Sequence, residues 1–145
     1  MKQSLIVSID SWKNGQPIPS KYAFGQIPET GHFELGGNVS PAISWENAPQ
    51  ETKSFVIICH DPDVPSLGDD VNQEGKTVPA SLPRCDFFHW TLVDLKPERT
   101  SIEVGEFSNQ ITSKGKSGPN APGGARQGIN NYTQWFESDP EMAGK

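Results

Sequence analysis

"SFVIICHDPDVPS", residues 54–66, sets two kinds of sequence end to end. Ser54–His60 is rich in β-branched residues, apolar on both faces and too short for an ordinary core helix, which predicts a central strand. The next residues hold two aspartates between two prolines, Asp61, Pro62, Asp63 and Pro65. Downstream, "FFHWTLVDL" at Phe87–Leu95 repeats the strand signal. Alternation puts Phe87, His89, Thr91, Val93 and Leu95 on one face and Phe88, Trp90, Leu92 and Asp94 on the other. Both faces are largely apolar, so this stretch is expected to be a second central strand. If the two strands pair antiparallel, Asp61 and Asp63 leave the end of the first beside His89, near the start of the second. Residues 61–86 would then form a loop closing above that rim.

The rest of the chain supports a mainly β fold. "LIVSID" at Leu5–Asp10 roughly alternates, as a half-buried strand does. Ala42–Trp45 follows the turn-rich "GGNVSP" as a short strand, and Thr100–Val104 is a weaker one. Before residue 129 no stretch of ten or more residues carries helical periodicity. "INNYTQWFESDPEMAG" has room for one or two helical turns, with Asp139 and Pro140 suited to N-cap and first-turn positions. A second long loop, "SKGKSGPNAPGGARQG" at 113–128, carries five glycines and two prolines. Loops of this length in a compact domain are functional or disordered. It is not a Walker A loop, because Gln110 stands where the first glycine of that motif is required.

Length and composition narrow the class. The 145 residues fit one domain spanning 1–145, large enough to bury a core without disulfides. Cys59 and Cys85 match no zinc or redox spacing. The N-terminal apolar run breaks at Ser8 and Asp10, too short for a secretory or membrane-spanning segment, so a cytoplasmic protein with reduced thiols is expected. A net charge of −6 with scattered Lys and Arg argues against nucleic-acid binding.

Two carboxylates and an imidazole at one rim permit three chemistries. A metal would find only the minimum of ligands, at an unrecognised spacing. An Asp/His pair could run acid–base chemistry in a hydrolase, although no nucleophile-elbow motif is present. The third is anion binding, with a protonated histidine and backbone N–H groups holding a phosphate-like group. Against all three stand ordinary explanations: Asx-turns account for "DPDVP", and His89 between aromatic residues could be a satisfied core histidine.

Four segments in order resemble one family. "GGNVSPAISWENAP" is similar to an Asn-x-Ser-Pro segment, "DPDVPS" to an Asp-Pro-Asp-x-Pro core, "FFHWTLVDL" to a His-Trp strand and "GARQGINNY" to a Gln-Gly-x-Asn stretch of the phosphatidylethanolamine-binding proteins. These are also called Raf kinase inhibitor-like proteins, and the likeness is to their bacterial and archaeal branch. The resemblance implies a large central antiparallel sheet packed with a smaller one, few short helices, and no cofactor. It also implies a binding module rather than an enzyme, with a pocket for a small phosphate-like anion or phospholipid head group. By position, Asp61, Pro62, Asp63 and Pro65 would line that pocket, His89 would be its central histidine, and Phe87 an aromatic wall. A kinase-regulating role rests on family analogy alone. The family pattern continues into a Gly-Pro-x-Pro-Pro turn and a strand with a second histidine, whereas this sequence stops at "DPEMAGK". The resemblance therefore implies a domain shortened at its C-terminal end, and a homodimer formed through the exposed sheet edge.

Overall fold

A computed structural model describes residues 4–140. Eight strands, β1 (Ile6–Ile9), β2 (Gly25–Gln26), β3 (Glu34–Leu35), β4 (Ile43–Glu46), β5 (Phe55–Pro65), β6 (Arg84–Leu95), β7 (Ser101–Ile102) and β8 (Arg126–Gln127), carry the fold. Among the described residues, helix is confined to single 3₁₀ turns at Ser20–Tyr22 and Pro122–Gly124 and to α1 (Tyr132–Trp135). All strand pairings are antiparallel, in sheets ordered β1-β4-β7, β2-β3 and β5-β6-β8. The mainly β, antiparallel expectation is met.

β5 and β6 dominate. β5 is longer than the apolar run alone predicts, because it continues through "DPDVP" to Pro65. Two prolines are tolerated because, among the described residues, β5 pairs only with β6 and is an edge strand. The loop is correspondingly shorter than residues 61–86 and spans 66–83. The ribbon is not regular. Its register slips between Phe55 and Ile57, between Cys59 and His60, and between Asp61 and Val64. At the first slip the extra residue lies on β6, where Asp94 takes a left-handed φ of 62°, a conformation that aspartate tolerates better than most residues.

The second slip corrects the simple alternation of β6. Cys59 opposes Trp90 and His60 opposes Phe88, so His89 is the extra residue of a β-bulge. A bulge re-aims side chains and shifts the alternation by one. Phe87 and His89 therefore share their side of the ribbon with Trp90 and Leu92 rather than with Thr91 and Val93. Phe87 is 7% exposed and Leu92 is fully buried.

Ile43, Trp45, Leu92, Leu95, Ile102, Phe107 and Ala125 form the buried core, to which both three-stranded sheets contribute. Trp45 packs on Phe55 with ring centroids 5.1 Å apart, and Trp90 on Phe107 at 5.7 Å. β1 is less buried than its alternation suggests, with Ile6 50% and Val7 58% exposed. The helical turn forms at Tyr132–Trp135, ahead of Asp139 and Pro140; a helix begun at Pro140 would lie outside the described residues.

Two of the notable motifs turn out to hold the frame together. Ser40, the buried serine of "NVSP", accepts hydrogen bonds at Oγ from the backbone N–H groups of Phe107 (3.1 Å) and Ser108 (3.2 Å). In "GARQGINNY", Gln127 Oε1 accepts from Trp90 Nε1 at 2.7 Å, and Gly128 N–H donates to the Thr91 carbonyl at 2.9 Å. Asn131 then clasps Phe88 twice, accepting its N–H at Oδ1 (2.7 Å) and donating to its carbonyl (3.1 Å). This segment runs along β6 and delivers α1 to the rim.

Candidate functional site

Asp61 and His89 meet as the strand pairing requires. His89 Nε2 lies 3.8 Å from Asp61 Oδ2, an ion-pair distance longer than a hydrogen bond. Asp61 also serves the backbone, because its Oδ1 accepts the N–H of Asp63 at 2.9 Å. That Asx-turn replaces the ladder bonding lost at the third bulge. The turn explanation of "DPDVP" and the site explanation are therefore both served by one side chain.

Around His89 the surroundings are aromatic. Its ring lies 5.0 Å from that of Phe87 and 5.4 Å from that of Tyr132, and Phe87 meets Tyr132 edge-on at 4.9 Å. Tyr132 packs against Phe24 at 4.7 Å and stacks on Phe136 at 5.6 Å. These rings wall a groove of about 710 Å³, whose lining runs from Phe24, Phe33 and Leu35 to Val71, Trp135 and Asp139. Gly68, in the 66–83 loop, lies against Trp135 so closely that a Cβ there would sit 3.0 Å from the indole. The loop thus closes over the aromatic side of the groove.

The six residues singled out from the sequence separate here. Pro65, Phe87 and His89 line the groove. Asp61 stands behind His89. Pro62 and Asp63 do not line it: they form the bulge, and Asp63 faces Arg84 at 3.8 Å. Sequence reasoning missed Tyr132 and the Phe24–Phe33 wall. Tyr132 lies inside the "GINNY" motif, so a signal was present, but nothing in the chain order places residues 24 and 33 beside residue 132.

Burial sets the electrostatics. The His89 pKa is lowered, chiefly by desolvation, with Asp61 partly opposing the change. The Tyr132 phenol is raised by burial and by Asp61, so it stays protonated. Cys59 retains exposed surface, yet its thiol is also pushed up, first by burial and then by Asp61. The two cysteines are free. Cys59 opposes Trp90 and Cys85 opposes Val64, which sets them roughly 16 Å apart along β5, beyond disulfide reach. Among the described residues, no cluster of His, Cys, Asp and Glu has metal-site geometry, and no helix is long and apolar enough to cross a membrane.

Known proteins share this arrangement of sequence. The family profile described as phosphatidylethanolamine-binding protein matches residues 8–143. A UPF0098 protein of Aquifex aeolicus is 32% identical over 124 residues, covering 84% of this chain and 49% of that protein. The UPF0098 protein YbhB of Escherichia coli is 37% identical over 93 residues, covering 64% of this chain and 45% of that protein. The chain thus spans about half the length of these curated relatives. Two crystal structures share the fold. One is E. coli YbcL, described as a new member of the mammalian PEBP family, at a TM-score of 0.58 and 24% identity over 88% of this chain and 60% of that one. The other is a putative PEBP homolog, CT736 of Chlamydia trachomatis, at a TM-score of 0.55 and 25% identity over 89% and 60%. With the profile matching nearly the whole sequence, the chain belongs to the phosphatidylethanolamine-binding protein family.

Proposed function

We propose that this protein binds a small phosphate-like anion, free or as a phospholipid head group, in the His89 groove. The observation that carries the proposal is the His89–Asp61 pair opening onto an aromatic-walled groove. A concave, mostly apolar site with a few convergent polar groups is the usual form of a small-ligand pocket. His89 is the polar contact, Asp61 orients its ring, and Phe87 and Tyr132 exclude water. Any regulatory or kinase-inhibiting role extends this reading by family analogy. A cytoplasmic setting is proposed from the two free cysteines. Self-association is proposed through β1, whose outer edge is unpaired among the described residues and whose Ile6 and Val7 are exposed; a clean monomer in light scattering would sink it.

The hydrolase alternative draws less support from the same geometry. Cys59 lies on the strand leading to Asp61, and its raised thiol pKa is the reverse of what an activated nucleophile needs.

NMR titration with phosphate and with phosphoethanolamine tests the proposal. Wild type is expected to show shifts at His89, Asp61 and Tyr132 that are absent in His89→Ala. Equal shifts in both proteins would refute the assignment of the site.

A further inference from the structure

We infer that the His89 groove takes its anion together with a proton, so that affinity falls as pH rises above the histidine range. The inference rests on the anion-binding reading and specifies how such a site must work. Among the described residues no lysine or arginine lines the groove. Arg84, at the same end of the ribbon, is turned to Asp63 at 3.8 Å, and Lys76 of the covering loop to Asp70 at 3.4 Å. Among the described residues, the acidic groups near His89 are two aspartates. Asp61 faces it from β5 at 3.8 Å, and Asp139, beyond α1, lies on the groove wall. The other titratable neighbours are Cys59 from β5 and Tyr132 from α1, whose protons burial holds more firmly, and His32 on the opposite wall.

An anion entering this site with His89 neutral would therefore meet the Asp61 carboxylate and, among the described residues, no lysine or arginine. The tautomer sharpens the conflict. A carboxylate beside Nε2 favours the proton on that nitrogen, which leaves Nδ1 bearing a lone pair. Taking up one proton converts the ring to a cation with donors on both nitrogens and cancels the Asp61 charge. The burial that makes His89 reluctant to protonate in the empty groove is offset by the incoming anion, so proton and ligand favour each other.

Benzenesulfonate and inorganic sulfate are suitable probes, because neither changes charge between about pH 5.5 and about pH 8, the range over which histidine titrates. Affinity is followed by NMR, and proton uptake by calorimetry in buffers of differing ionisation heat. Wild type is expected to weaken by up to about tenfold per pH unit above the His89 pKa, with proton uptake on binding. His89→Gln is expected to bind weakly and without pH dependence, while His60→Gln keeps the wild-type profile. The sulfonate binding more tightly than sulfate would show that the apolar wall also holds the body of the ligand. Equal affinity across the range in wild type overturns the coupling while leaving the anion site standing. Absence of any shift with either probe at the acid end overturns the anion site itself, and the coupling with it.

Discussion

Two histidine–aspartate pairs occupy opposite faces of the same ribbon, His60 with Asp86 and His89 with Asp61. His60 Nε2 lies 2.9 Å from Asp86 Oδ1, and its ring stacks on Phe88 at 4.8 Å. His89 lies farther from its partner, 3.8 Å from Asp61. By hydrogen-bond length alone, the first pair would be taken for the site. Its side chains are 39% and 68% exposed, against 31% and 44% for the second pair, and an ion pair on open surface contributes little. The second pair is walled by Phe87 and Tyr132 and opens onto the groove. What distinguishes a candidate binding pair from a surface pair is the dielectric and shape around it. The bulge at His89 decides which histidine receives that environment.

The adjacent phenylalanines give the widest separation between the two faces. Phe87→Ala removes a buried ring packed against His89, Tyr132 and Trp135 and is expected to cost about 3 kcal/mol. Phe88→Ala, with 38% exposure, is expected to cost about 1 kcal/mol or less. Urea denaturation of both variants would break the comparison if the two losses were equal. A smaller effect is expected from Asn131→Ala, which leaves the Phe88 N–H unpaired and frees the segment bearing Tyr132. About 1–2 kcal/mol should be lost, with the Tyr132 ring signals of the groove shifting while those of His60 do not. On the outer face, His60→Ala is expected to change stability by less than about 1 kcal/mol.

The smallest expected effect is the pH dependence of stability. The His89 pKa in the folded chain lies below its ordinary 6.5, so the unfolded chain takes up this proton more readily. Stability is therefore full above that range and falls as pH drops through about 6.5 toward the folded value. His89→Gln should flatten this slope in thermal melts from about pH 8 to pH 5. An unchanged slope would show that His89 is not the group held neutral by burial.

Much of the fold could be read along the chain. "SFVIICH" and "FFHWTLVDL" announced β5 and β6, and their antiparallel pairing brought Asp61 to His89. The departures have physical causes. The prolines of "DPDVP" suggested a loop, but an edge strand with a bulge needs no donor at Pro62, so β5 runs on. Strict alternation placed His89 with Thr91 and Val93, because one inserted residue in a ladder leaves no mark in the order of side chains. "GGNVSP" and "GARQGINNY" stood out as motifs, yet much of their content is structural: Ser40 latches residues 107 and 108, while Gln127 and Asn131 fasten to β6.

By itself the sequence determined the class of fold, the two long strands and the pairing of Asp61 with His89, since these follow from local periodicity and from strand order. Tertiary structure alone decided which histidine lines the groove, that Asp63 turns to Arg84, and that Tyr132 and Phe24 complete the wall. Those outcomes depend on one-residue shifts of register and on contacts between segments about a hundred residues apart, and neither is encoded in any short stretch of chain.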